Sequence, residues 1–161
     1  MLNEPPKKIV TPLMALEKCR KYCAYQERSQ NDVRKKLHSW QIDDETTEGI
    51  IAQLISEQFI SESRFVKAFA SGKFRILHWG RIKIKHELRL KKIPEKLIRE
   101  ALNSIDSNEY KNTLKRIIEK KNKELHEKNY IRKRQKVYRF AISKGYENDL
   151  VREMIQQLFE K

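Results

Sequence analysis

The stretch Gly80-Arg81-Ile82-Lys83-Ile84-Lys85-His86-Glu87-Leu88-Arg89-Leu90-Lys91-Lys92-Ile93-Pro94 decides the fold. Ile84 and Leu88 stand one helical turn apart and share a face. Ile93 follows at a turn, and Pro94 opens the next helix. That helix carries Leu102 and Ile105, nine and twelve residues after Ile93. The same five positions recur 51 residues earlier as Val33, Leu37, Ile42, Ile51 and Leu54. They recur again 53 residues later as Val137, Ala141, Tyr146, Ile155 and Leu158. All fifteen are apolar or aromatic, although only 39% of the chain is hydrophobic. Three unrelated amphipathic helix pairs would share some of these spacings; one unit written three times accounts for all five columns.

Two apolar knobs on one helix, a turn residue and two knobs on the next form a helix pair that a third, preceding helix closes. A unit of about 50 residues buries little by itself, so neighbours stack. The expected fold is all-α: an elongated, curved array of three tandem three-helix, helix-turn-helix-like repeats. The expected boundaries are a disordered leader at 1–10, then repeats at 11–60, 61–106 and 107–161. A thin core suits a chain in which 36% of residues are charged.

Local signals agree. Proline occurs only at 5, 6, 12 and 94, and glycine only at 49, 72, 80 and 145. Thr11-Pro12 and Ile93-Pro94 are helix starts, Ser29-Gln30-Asn31-Asp32 resembles a capping box, and Gly145 fits a C-terminal cap. The spacing predicts helices over 12–27, 30–40, 44–58, 62–77, 81–91, 94–105, 108–128, 131–144 and 147–160. No strict period-two alternation persists, so no strand is expected.

Charge is segregated. The net charge is +14. Residues 43–63 hold six acidic and no basic side chains. Residues 73–99 hold ten basic and two acidic, and residues 111–139 twelve basic and three acidic. Such asymmetry marks a polyanion binder or a protein that docks on a nucleoprotein; solvated lysine-rich faces are the plainer reading.

Several classes are excluded. The longest apolar run is Leu13-Met14-Ala15-Leu16, too short to cross a membrane, and the first residues lack a signal peptide's apolar region. Cys19 and Cys23 read as small buried hydrophobes of a reduced, cytoplasmic protein. The four histidines lack partners at metal-ligand spacing, so neither metal nor cofactor is expected. Gly72-Lys73 is not a phosphate loop, since Lys67 stands where the first glycine belongs. Asp43-Asp44 reads as a helix cap rather than a catalytic pair. Trp40, Trp79, Tyr22 and Tyr25 read as core, although an exposed one could stack on single-stranded DNA.

The residues also resemble a known family, the RecX regulators of bacterial recombination, over about residues 13–159. In the first unit the likeness rests on Tyr25-Gln26-Glu27-Arg28-Ser29 before Val33 and Leu37, and at the junction on Leu54 through Phe59-Ile60 and Arg64-Phe65. The second unit matches best, through Lys73-Phe74-Arg75, Gly80 through Leu88, Lys91-Lys92-Ile93-Pro94 and Ala101-Leu102. In the third unit Phe140, Gly145 and Tyr146 match loosely. The chain departs from the family at Ser61-Glu62, Val66, Lys92 and Gln41, the last two standing where the turn has glycine. A left-handed non-glycine there costs about 1 kcal/mol, which leaves room for turns of different geometry.

The resemblance implies three stacked three-helix units with no enzymatic activity. It implies a modulator, usually an inhibitor, that docks along the groove of the RecA filament on DNA. There it would hinder ATP hydrolysis and strand exchange, damping recombination, repair and the SOS response. The implied partners are the RecA filament and, through weak direct contact, DNA. No membrane partner and a monomeric chain complete the expectation.

The residues themselves offer faces for such a contact. Opposite Val137 and Ala141, Arg132, Lys136 and Arg139 form a stripe of about 10 Å at 1.5 Å per residue. Arg81, Lys83, Lys85 and Arg89 flank Ile84 and Leu88, and Arg75, Lys115 and Arg116 complete the candidate phosphate or filament contacts. Ile82 and Leu90 lie among these charges and read as an inter-repeat contact, or else a partner contact. The competing functional reading is a free-standing helix-turn-helix DNA binder; the lack of a base-reading cluster at one helix start counts against it.

Overall fold

The computed structural model describes residues 9–160; most of the expected leader lies outside them. Nine helices occur among the described residues: α1 Pro12–Tyr25, α2 Gln30–Ser39, α3 Asp44–Ser56, α4 Glu62–Leu77, α5 Arg81–Leu90, α6 Glu95–Asn103, α7 Ser107–Glu124, α8 Tyr130–Ser143 and α9 Asn148–Phe159. No strand is present among the described residues. The expected helix boundaries hold to within a few residues, with three corrections. α6 ends at Asn103, so Ile105 follows that helix instead of lying on it. Pro94 is the N-cap of α6 rather than its first helical residue, and α7 ends at Glu124, leaving 125–129 as a connection.

The caps have clear chemical causes. Thr11 Oγ1 accepts from the Met14 amide at 3.3 Å ahead of Pro12. Ser29 and Asp32 form a reciprocal capping box, with both bonds at 3.1 Å. Asp43 caps α3 by accepting from the Thr46 amide at 2.9 Å and the Thr46 hydroxyl at 2.8 Å. These bonds hold its carboxyl below the usual range.

Fourteen of the fifteen repeat positions are buried; only Leu158 is half-buried. Val33, Leu37, Ile84, Leu88, Val137 and Ala141 are completely enclosed. The turns explain two of the columns. Gln41, Lys92 and Gly145 all adopt positive φ, at 62°, 58° and 91°. The amides of Ile42 and Ile93 then donate to the carbonyls of Leu37 and Leu88, both at 3.2 Å, and that of Tyr146 to Ala141 at 3.4 Å. The amides of Gln41, Lys92 and Gly145 donate to the carbonyls of His38, Arg89 and Ile142, all at 2.9 Å. This is the Schellman arrangement, in which the residue after the left-handed one packs on the last inward residue of the helix. The loss of glycine at 41 and 92 therefore leaves the turn geometry unchanged.

The chain divides into two compact units, the first ending at Phe65 and the second beginning at Val66. The first contains α1–α3 around Leu16, Cys19, Val33, Leu37, Ile51 and Leu54, with Val10, Tyr22, Trp40 and Phe59 packed against that core. The second contains α5–α9 and most of α4, so the second and third helix trios share one unit.

Within the second unit the trios are joined by backbone. α5 starts at Gly80, which has no side chain to cap it. Its orphan amides are met by the other trio: Gly80 N–H donates to the Lys144 carbonyl at 2.7 Å and Ile82 N–H to the Gly145 carbonyl at 3.0 Å. Arg81 N–H donates to the Tyr110 hydroxyl at 2.9 Å, and that hydroxyl donates to Glu147 at 2.7 Å. The carbonyl end of α8 thus satisfies the amide end of α5, with favourable helix dipoles. Phe74, Tyr110 and Tyr146 stack behind this joint at centroid separations of 5.7 and 4.9 Å.

Candidate functional site

The expected site residues lie on α4, α5, α7 and α8, and the structure sorts them by how free their charges are. On α8, Asn129 accepts from the Arg132 amide at 2.9 Å and fixes the helix start. Val137 and Ala141 face inward. Arg132 and Arg139 are exposed, seven residues apart on one face, and neither makes an ion pair among the described residues. Lys136, between them, is tied to Glu127 at 2.9 Å. That contact and the Asn129 amide hold the Glu127 carboxyl below its usual range, with Arg132 contributing. The stripe therefore has two free guanidinium groups and a tethered ammonium.

On α5 the charges are more engaged. The Arg81 side chain turns inward. Its guanidinium lies 4.0 Å from the Tyr110 ring centroid and reaches the carbonyls of Leu102 and Ile105 at 3.4 and 3.3 Å. It also stands 3.8 Å from Glu147, so Arg81 serves as a tie between helices. Lys83 lies over Trp79 at 4.6 Å. Arg89 pairs with Glu95, whose carboxyl is held low by that bond and more weakly by Lys85 and Arg99. A groove of about 370 Å³ brings Arg81 and Lys85 together with Arg99 over Ile82, Ile98 and Leu102. Arg99 is not among the contacts expected from sequence; its place four residues after Glu95 on α6 is the signal that could have found it.

Arg75 is exposed and stands 3.7 Å from Glu109. Lys115 and Arg116 are exposed on α7, and Arg116 donates to Thr113 Oγ1 at 3.2 Å. Ile82 and Leu90 are 53% and 59% exposed, which overturns their expected role between repeats.

The aromatic side chains divide similarly. Trp40 is half-buried beneath Lys18 and Lys36, and Trp79 beneath Lys73 and Lys83, so the protein's own ammonium groups lie over these rings. Tyr22 is half-buried under Arg28 at 3.9 Å. Tyr25 is 85% exposed, so it does not belong to the core as expected. Among the described residues no group of three or more His, Cys, Asp or Glu side chains could hold a metal ion. No described helix is long and apolar enough to cross a membrane.

Comparison with known proteins gives this arrangement a family. Residues 61–102 match the pattern described as RecX, second three-helix domain, and residues 108–155 match RecX, third three-helix domain. The chain belongs to the RecX family. Among its relatives, Regulatory protein RecX of Clostridium tetani is 34% identical over 133 residues, covering 81% of this chain and 61% of the relative. Regulatory protein RecX of Prosthecochloris aestuarii is 25% identical over 146 residues, covering 89% and 93%. The chain thus spans under two thirds of the Clostridium protein and nearly all of the Prosthecochloris one. The crystal structure of RecX from Lactobacillus salivarius superposes with a TM-score of 0.79 at 22% identity, over 93% of this chain and 97% of that one. A second crystal structure of regulatory protein RecX gives 0.80 at 25% identity, over 91% and 71%. The RecX fold of tandem helical repeats is therefore this chain's fold, and both matched domain patterns fall on the trio pair joined at Gly80.

Proposed function

We propose that the chain is a RecX-type regulator of the RecA recombinase. It binds the RecA–DNA filament, inhibits ATP hydrolysis and strand exchange, and so restrains recombination, repair and the SOS response. It acts in the cytoplasm as a monomer and catalyses no reaction of its own. Its repeats divide at 11–60, 61–106 and 107–161, and the second and third carry the contact surface.

One observation carries this reading: the two RecX domain matches cover the segment that holds both basic stretches. A surface bearing free Arg132 and Arg139, with Lys115, Lys85 and Arg99 also exposed or half-exposed, suits phosphates and carboxylates of a nucleoprotein polymer. Arg81 contributes by fixing α5 rather than by contact.

The test is a titration of the chain into RecA assembled on single-stranded DNA, with ATP hydrolysis and filament binding read together. Saturable binding with falling hydrolysis is expected. A filament whose hydrolysis and strand exchange stay constant at saturating protein would refute the proposal.

A further inference from the structure

A second basic feature lies away from the α8 stripe. A cavity of about 220 Å³ is lined by Thr113, Arg116, Ile117 and Lys120 of α7 and by His78 from the α4–α5 connection. The four α7 residues occupy positions i, i+3, i+4 and i+7, a single stripe along one side of the helix. No carboxylate lines the cavity.

His78 is the one member that α7 does not supply. It holds a left-handed φ of 56°. Its carbonyl accepts from the Tyr146 hydroxyl at 3.0 Å, and the neighbouring Leu77 carbonyl accepts from Lys144 at 3.3 Å. Both ties come from the end of α8, so the joint between trios fixes this connection. Yet the His78 Nδ1 atom is enclosed and has no hydrogen-bond partner. That atom is closed to water, and so to a bound group; other atoms of His78 line the cavity. Arg116, Lys120 and Thr113 bring a guanidinium, an ammonium and a hydroxyl to the same lining. Arg116 is already oriented by its bond to Thr113 at 3.2 Å. Lys120 stands 3.9 Å from Glu124, an exposed pair in the weaker lysine-first order, which an incoming anion can displace.

We propose that this cavity binds a phosphate group. A guanidinium, an ammonium and a hydroxyl bring donors to one small space, with His78 at its edge. A tetrahedral phosphate offers three or four acceptor oxygens to match them, whereas a carboxylate offers two. A guanidinium and an ammonium with no carboxylate in the lining do not suit a metal cation. The phosphate is either free or the terminal phosphate of a nucleotide or nucleic acid strand. Because Arg116 is also a candidate filament contact, the proposal extends that reading, but it needs no recombinase to be tested.

The experiment uses the full chain in chloride buffer with inorganic phosphate as probe. Isothermal titration gives stoichiometry, and the His78 imidazole resonances in nuclear magnetic resonance locate the site. One-to-one saturable binding with a shifted His78 signal is expected, with acetate binding at least about tenfold more weakly. R116Q and K120Q should each weaken phosphate by about tenfold, the loss of one charge-assisted hydrogen bond, and H78N, which changes only the edge of the cavity, should weaken it less. Asparagine at 78 tolerates the left-handed backbone. Oligothymidylates with and without a 5′-phosphate separate the sources: a preference for the phosphorylated strand assigns a nucleic-acid end, and equal affinities below that of inorganic phosphate assign the free anion. No saturable binding, an unmoved His78 signal, or undiminished affinity in the R116Q and K120Q double variant would overturn the proposal. H78N should still inhibit RecA, since His78 is not a filament contact; failure of inhibition by the unaltered chain would refute the regulatory reading alone.

Discussion

The Gly80 amide donates to the Lys144 carbonyl at 2.7 Å, and this bond joins the start of α5 to the end of α8. The contact is possible because the two segments approach without side chains between them. A Cβ on Gly80 would lie 2.2 Å from the Gly145 carbonyl oxygen, and one on Gly145 would lie 2.3 Å from Lys83 Cβ. Backbone on one side of each clash leaves little room for relief. Gly80→Ala should therefore destabilise the second unit by about 3 kcal/mol, through overpacking and the loss of capping bonds. Urea unfolding followed by circular dichroism measures it. A loss below about 0.5 kcal/mol, the range of neutral surface changes, would mean that the joint is not structural.

The left-handed turn residues make the opposite prediction. Lys92 holds φ at 58° with an exposed side chain, in the position that Gly145 fills in the third trio. Lys92→Gly should raise stability by about 0.5–1 kcal/mol, because relief of left-handed strain outweighs the added flexibility of the unfolded chain. Gln41→Gly should act alike, and the two gains should add because the sites are independent. Lys92→Val should lower stability. A destabilising Lys92→Gly would show that the lysine side chain, rather than the turn, matters there.

Much of the fold was legible because it is written in local terms. Leu37, Leu88 and Ala141 announce a helix face by spacing alone, and Ser29 with Asp32 announces a cap by chemistry alone. What was hidden depends on the tertiary approach of distant segments. Gly80 has no side chain to cap α5, and nothing nearby in the sequence says that Lys144 and Gly145 supply the cap through their backbone. Arg81 reads as a surface cation, and only the proximity of Tyr110, Leu102 and Ile105 shows it to be internal. His78 gave no signal at all, since an enclosed unpartnered nitrogen is a property of packing. Gln41 and Lys92 carry a further lesson: the Schellman turn survives without glycine when the apolar residues on either side hold it closed.

In the first unit, Arg20 clamps Glu57 through two bonds of 2.9 and 2.6 Å, and Gln53 donates a third at 2.9 Å. Hydrogen bonds from Arg20, then from Gln53, lower the Glu57 pKa from 4.5 to about 2. A carboxyl with a depressed folded-state pKa stabilises the fold above its unfolded pKa and loses that effect as pH falls through the folded one. Glu57→Gln should accordingly lower the urea midpoint at neutral pH, and the difference from the unaltered chain should close between about pH 4.5 and about pH 2. A constant difference across that window would assign the effect to packing. Both side chains are partly exposed, so added salt should also shrink it.

Cys19 and Cys23 are buried, free and one turn apart on α1. Burial, foremost, pushes both thiols from 9.0 up to about 11. Such a rise leaves about a hundredfold less thiolate at a given pH, and the thiolate is the reactive form. At pH about 8 the native chain should react slowly with an aromatic disulfide reagent, and both thiols should react fully in urea. Equally fast reaction in the native state would show that α1 opens readily. Cys19→Ser should weaken the first unit by placing a hydroxyl among apolar side chains.

The most direct functional prediction concerns the two free guanidinium groups of α8. Arg132 and Arg139 share a face, and neither is held by an ion pair among the described residues, so replacing them leaves no buried charge unmatched. Arg132→Glu with Arg139→Glu should keep the helix content of the chain. It should weaken binding to RecA filaments on DNA by several-fold or more, with a reduced dependence of affinity on salt. Lys136→Gln serves as the internal comparison, because that ammonium is already matched by Glu127 at 2.9 Å and its loss should change binding less. Filament co-sedimentation over a range of salt concentrations separates the cases. If the double reversal binds normally while Lys85→Glu with Arg99→Glu does not, the contact surface belongs to the groove between α5 and α6 instead. That outcome would also give exposed Ile82 its role, since an apolar residue at the edge of a cationic groove is what a protein partner, rather than a bare phosphate backbone, would cover.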